Sequence, residues 1–303
     1  MFAVSRNGNL AYQPLQAQQL IWTDRAGREL AIVGPAGIYI GLRLSPDGGR
    51  LLFSRMRPDT GTADLYVWNL ERGVEDRLTS DPGNEVGAVW LAGGHAVAFA
   101  ADRGGPPHLF RKNLETGAEE ELLPPGKRQL PTDISPDGTT LAFVERTERA
   151  NGSLSTLALS GSHQRSLLFG TPFDESDARF SPDGHFLAYT SDASGSGRYD
   201  VYVAPLRRGL TVRVSTAEGG RAPRWSRDGR ELFYLSSDRR VVVVPVRTEP
   251  SLKLGTAATL FTTGATTWSD FDVSPDGRRF IASVMPGESP IAVVQHWTQD
   301  TRR

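Results

Sequence analysis

Acidic side chains in short groups are the residues of this chain best suited to chemistry: Asp81 with Glu85, Asp174-Glu175-Ser176-Asp177, and Asp270 with Asp272. Carboxylate oxygens gathered at one point make hard ligands for a divalent cation such as calcium, or acid–base groups for a lyase or lactonase. That requires a fold that joins groups far apart in sequence. Arginines and aromatics accompany them at Tyr39, Arg128, Arg179, Arg221, Arg224 and Trp268, a mixture suited to a peptide or small polar ligand. Other chemistries lack their residues. There are no cysteines, hence no disulfide, thiol nucleophile or zinc–thiolate site. No Gly-x-Ser-x-Gly elbow occurs, and Ser194-Gly195-Ser196-Gly197 reads as a loop. The five histidines, His95, His108, His163, His185 and His296, are dispersed without metal-ligand spacing.

Composition narrows the partners. The 303 residues carry 34 Lys+Arg against 35 Asp+Glu, a net charge of -1, so no global field favours nucleic acid or an anionic bilayer. A hydrophobic fraction of 38% gives a soluble globular profile. The first twenty residues hold no apolar h-region, and no apolar run approaches the roughly 20 residues of a membrane helix, so neither a signal peptide nor membrane insertion is expected. Gly at 32 and Pro at 20, with few 3.6-residue stripes, indicate many short strands.

The elements that position the candidates emerge from a repeat. Ser45-Pro46-Asp47-Gly48 recurs at Ser135, Ser181 and Ser274, nearly at Ser226-Arg227-Asp228-Gly229, and in degenerate form at Ser5-Arg6-Asn7-Gly8 and Leu91-Ala92-Gly93-Gly94. The third motif residue falls at 7, 47, 93, 137, 183, 228 and 276, a period near 45. Proline presets the φ of a type I turn, and glycine takes the left-handed position that follows, which makes a tight hairpin between two apolar strands. Third and fourth strands follow in most units, as at Leu65-Tyr66-Val67-Trp68 and Arg77-Leu78-Thr79. Four-stranded modules at this period predict an all-β propeller of four-stranded antiparallel blades, a single domain over 1–303. Seven blades are favoured, at about 1–36, 37–82, 83–126, 127–171, 172–217, 218–264 and 265–303; six with a surplus hairpin is the alternative, because the last unit lacks an outer strand.

In a propeller the segments entering the innermost strands converge on one end of the central channel. The expected rim is therefore Tyr39, Glu85, Arg128, Asp177, Arg221, Trp268 and Asp270, offered as a mouth for a protein or peptide. No cofactor is expected; calcium would require three or more of Glu85, Asp133, Asp177, Asp270 and Asp272 to converge. Asp64 and Asp200 recur in phase before a third strand and read as scaffold, since a repeated residue serves the repeat. Departures from the repeat, at Trp90 to Gly93 and the polar loop Glu145 to Ser153, are candidate docking edges or drift.

The Ser-Pro-Asp-Gly turns over essentially the whole chain resemble the TolB-like and tricorn-like propeller repeats. More narrowly, Phe2-Ala3-Val4-Ser5, Gly8-Asn9-Leu10-Ala11-Tyr12, Trp22 to Gly27, Tyr202 to Leu206 and Val293 to Trp297 resemble the C-terminal propeller region of bacterial receptor-type serine/threonine kinases. The kinase motifs themselves, a Gly-rich loop, H-R-D and D-F-G, are absent. The resemblance implies a non-catalytic sensor or protein-binding module, joined in relatives to a kinase domain, in an extracytoplasmic location. The alternative is a propeller enzyme, a metal-dependent lactonase or lyase working through channel carboxylates.

Overall fold

A computed structural model describes residues 2–4, 9–12, 17–146, 151–161, 163–195, 197–207, 209–249, 251–264, 271–285 and 292–294. Six antiparallel blades follow one another around a circle, five of them four-stranded and blade five with one additional outer strand. Blade one is Tyr39–Leu44, Arg50–Met56, Ala63–Asn69 and Val74–Arg77. Blade two runs from Glu85–Trp90 to Glu119–Glu121, blade three from Arg128–Ile134 to Arg165–Leu167, and blade four from Glu175–Phe180 to Val212–Arg213. Blade five begins with Arg221–Trp225, and its third strand, Arg240–Arg247, pairs with both Lys253–Leu254 and Ala258–Thr262.

The sixth blade corrects the count of seven. Its inner strands are Phe271–Val273 and Arg279–Val284, from the end of the chain. Its outer strands are Gln18–Asp24 and Glu29–Gly37, from the beginning, joined through the antiparallel register Arg279↔Asp24 to Val284↔Gln19. Each terminal unit is incomplete and cannot bury a sheet face alone; merging two halves supplies all four strands and closes the ring. Gln18 secures this seam, its Oε1 accepting the Tyr39 amide at 2.9 Å and the Ser283 hydroxyl at 2.7 Å. The surplus hairpin, Phe2–Val4 with Leu10–Tyr12, pairs with Ala292–Val294 in a separate three-stranded sheet.

Packing explains why the strands read as continuous apolar runs. A separate apolar cluster fills each of the six junctions between neighbouring blades. Successive side chains on a strand point to opposite faces, so Leu51 packs towards blade six and Leu52 towards blade two. Both faces of every sheet are therefore buried, and Phe53, Phe99, Phe143 and Phe233 are fully enclosed.

The hairpin turns behave as their residues demand. In each complete copy the serine hydroxyl donates to the aspartate, for example Ser45 to Asp47 at 2.5 Å, and also accepts an amide, Arg50 N at 2.9 Å. The glycine that follows has φ near +70°, as at Gly48 and Gly184. Serine hydroxyls and backbone amides hold the carboxylates of Asp47, Asp137 and Asp228 below their usual range. Asp64 and Asp200, as the repeat suggested, are buried beside a hydroxyl of their own blade: Thr79 at 3.5 Å and Ser215 at 2.6 Å.

Candidate functional site: the channel mouth

The innermost strands carry two features at fixed distance from the turn serine, or from Leu91 in blade two. In blades one, two, four and five a bulge lies four residues before it: Gly41, Gly87, Asp177 and Ala222 all have positive φ, and register shifts interrupt the ladder there. A bulge bends the strand and re-aims its side chains. Asp177 at φ 53° is held in a conformation that L-residues adopt at a cost, at a position where two other blades use glycine.

Two residues before the serine, or before Leu91 in blade two, the strands present Arg43, Val89, Asp133, Arg179, Arg224 and Asp272 in turn around the ring. These groups stitch neighbouring blades. Asp133 Oδ2 accepts the Phe180 amide at 2.8 Å, and Asp272 Oδ2 accepts the Leu44 amide at 2.7 Å. Trp90 Nε1 donates to the Arg43 carbonyl at 3.0 Å, and Trp225 Nε1 to that of Arg179 at 3.2 Å. Arg224 is fully engaged: Nε meets Asp272 Oδ1 at 3.0 Å, Nη2 the Phe271 carbonyl at 3.1 Å, and Nη1 the Pro223 carbonyl at 2.9 Å.

The electrostatics of the ring are crowded. Burial, then the Arg179 and Arg224 charges, push the Arg43 guanidinium well below its ordinary value, and burial with Arg179 lowers Arg224 to about 10. A guanidinium keeps its proton, so the downward push measures how poorly these cations are accommodated. Burial raises Asp133 in spite of Arg179.

Above the ring opens a cavity of about 590 Å³, lined from five blades. Ile40, Val86, Ala88, Leu130, Pro131 and Val144 give it an apolar floor; Arg43, Arg128, Arg146, Arg221 and Asp177 supply charge. Arg221 stacks over the Tyr199 ring at 3.3 Å from its centroid, and Arg146 pairs with Asp174 at 2.5 Å.

Of the rim residues expected from the sequence, Arg128, Asp177 and Arg221 meet here. Tyr39 does not: it is buried between blades six and one, edge-on to Phe53 at 5.1 Å, its hydroxyl donating to the Pro35 carbonyl. Its place at the start of an innermost strand is correct, but its side chain falls on the inter-blade face. Glu85 is likewise off the mouth, fully buried and 3.6 Å from Arg103 Nε. Burial pushes its carboxyl up to about 7, against the pull of Thr79 and Arg103. Trp268 and Asp270 lie outside the described residues. Among the described residues no three acidic or histidine side chains gather as a metal site. Asp133 Oδ2 and Asp272 Oδ2 each accept a backbone amide, and Asp272 Oδ1 pairs with Arg224. Arg43 and Arg146 were not anticipated; the signal for Arg43 was its register, shared with Arg179 and Arg224.

Comparison with known proteins places this architecture. Residues 9–176, more than half of the chain, match the family model described as TolB beta propeller domain, and the chain belongs to that family. It is 28% identical over 170 residues to the Tol-Pal system protein TolB of Helicobacter pylori, covering 54% of this chain and 39% of that one. It is 24% identical over 253 residues to dipeptidyl-peptidase 5 of Porphyromonas gingivalis, covering 65% and 37%. The matches thus span about two fifths of the length of these curated relatives. The solved structure of putative TolB from Agrobacterium tumefaciens superposes with a TM-score of 0.72 at 17% identity, covering 91% of this chain and all of that one.

Proposed function

We propose that this member of the TolB beta propeller family is a non-catalytic binding module whose channel mouth takes an extended segment of a protein partner. The observation that carries the reading is the cavity of about 590 Å³ at the converging ends of five innermost strands, lined by apolar side chains and by arginines. A concave site with a few convergent charges suits a narrow chain segment better than a flat protein surface. The Tol-Pal relative supports a protein partner in general terms. Against the competing class, a propeller enzyme working through channel carboxylates, stands the engagement of Asp133 and Asp272 by amides and by Arg224, which leaves Asp177 as the cavity's acidic side chain among the described residues. The narrower sensor role in a kinase chain gains nothing from the relatives above, which are TolB proteins and a peptidase. An extracytoplasmic setting belongs to the same proposal and rests on the family resemblance; among the described residues no helix is long and apolar enough to cross a membrane.

The test is site-specific photocrosslinking in the native host. A photoreactive residue at Leu130, in the cavity, should trap a discrete protein, and Ile40→Trp, which narrows the cavity from a half-buried position, should abolish the adduct. A probe at Leu210, 88% exposed at the outer edge of blade four, should trap nothing comparable. Equal trapping from both positions, or an adduct indifferent to Ile40→Trp, defeats the reading.

A further inference from the structure

We propose that the arginine ring beneath the cavity receives a carboxylate, presented by the chain segment that enters the mouth. This rests on the peptide-binding reading and adds the chemical group that the channel selects.

Three guanidiniums share one register, and they are not equivalent. Arg224 has every nitrogen engaged. Arg43 and Arg179 each donate Nη1 to a carbonyl of their own strand, Leu42 O at 2.8 Å and Ala178 O at 2.9 Å. Beyond that, Arg43 Nε and Arg179 Nη2 are buried without a hydrogen-bond partner, and Arg179 is only 6% exposed. A buried charged donor left unpaired is costly, and its presence calls for an explanation in ligand or solvent. Arg43 lines the cavity, so its unpaired donor belongs to a residue that the cavity reaches, and the Arg179 charge acts on Arg43 from behind it.

The charges point the same way. Among the described residues the ring sets three arginines against Asp133 and Asp272, both already accepting amides. The mouth adds Arg128 and Arg221 against Asp177, while Arg146 is held by Asp174. Among the described residues an incoming anion meets an excess of guanidinium: Arg43, Arg179, Arg224, Arg128 and Arg221 stand against Asp133, Asp177 and Asp272. Planar carboxylates match guanidinium forks geometrically, and hydrogen bonds between two ionised groups are shorter and stronger than neutral ones. The apolar floor above the ring would grip the methylene stem or backbone that carries the carboxylate.

The experiment uses the full chain and capped tripeptides, followed by calorimetry and thermal melting. Acetyl-Ala-Glu-Ala-amide should bind saturably and raise the melting temperature, at least tenfold tighter than acetyl-Ala-Gln-Ala-amide. Arg43→Gln should weaken the Glu peptide at least tenfold with little effect on the Gln peptide; Arg179→Gln should do the same if it folds. The comparison of the two peptides on the wild-type chain needs no variant. Equal affinity for the two peptides, an unchanged Glu-peptide affinity in Arg43→Gln, or stabilisation by calcium chloride in place of the carboxylate overturns the proposal. Free glutarate is the second arm: binding as tight as the Glu peptide would overturn presentation by a chain segment. If the Leu130 adduct forms while the two peptides bind alike, the mouth reading stands and the carboxylate falls. If the Glu peptide binds selectively while no adduct forms, the carboxylate site stands and the protein partner falls.

Discussion

The hairpin turns and the channel ring occupy neighbouring positions in every blade, yet they obey opposite rules. At the turns five of the six blades repeat one solution: serine hydroxyl to aspartate, aspartate to amide, glycine in the left-handed region, and carboxylates held below their usual range. Two residues upstream the repeat breaks into Arg43, Val89, Asp133, Arg179, Arg224 and Asp272, with cations crowded against one another. The turn is satisfied within its own blade, so each copy converges on the same residues. The ring reaches across blades, as Arg224 does to Asp272 and Asp133 to the Phe180 amide, so its copies differ and the differences together make a site.

The contrast can be broken most severely at Asp272. It bridges blades five, six and one through Arg224 and the Leu44 amide, so Asp272→Ala should cost about 3–5 kcal/mol by leaving a buried guanidinium unpaired. Chemical denaturation of the variant checks this; a loss below about 1 kcal/mol would show that the ring tolerates free cations. A smaller effect is expected at Glu85, which tests burial away from the mouth. Its folded carboxyl lies at about 7, above the ordinary value of 4.5, so the folded state holds its proton more tightly. Stability from this group is therefore intact near pH 4.5 and is lost as pH rises towards 7, by about 1–3 kcal/mol. Denaturation midpoints between pH 5 and 8 should show this slope in the wild type and a flatter one in Glu85→Gln.

At the turns, Asp137→Ala removes hydrogen bonds to Ser135 and the Thr139 amide and should cost about 1 kcal/mol, the same whichever blade carries the change. Position-dependent losses on repeating it at Asp183 and Asp228 would undo the claim that the turns are local. The smallest effect is expected at Arg43: Arg43→Gln relieves like-charge crowding while forfeiting one bond to Leu42, so the melting temperature should shift by no more than a few degrees, upward or downward. A collapse of stability there would mean that Arg43 is structural.

Much of the fold was legible because a turn motif acts over four or five residues. Ser181-Pro182-Asp183-Gly184 specifies its hairpin without reference to anything distant, and apolar runs such as Leu51-Leu52-Phe53 announce a sheet buried on both faces. The blade count was less legible, because hairpins were counted and a blade needs four strands. Of the site, Arg128, Asp177 and Arg221 were found from their place at strand entries, whereas Tyr39 shares that place and points between blades. A one-residue difference in register sends a side chain to the other face, and the bulges shift register within these very strands.

The amino-acid order by itself therefore determined the class, the repeat, the turn chemistry and the residues available to a channel. Tertiary structure alone decided that Gln18–Asp24 completes a sheet begun at Phe271, and that Arg43, Arg179 and Arg224 share one buried ring. Local hydrogen bonds choose a turn within a few residues, but closure and charge convergence depend on contacts more than a hundred residues apart, where no short-range signal reaches.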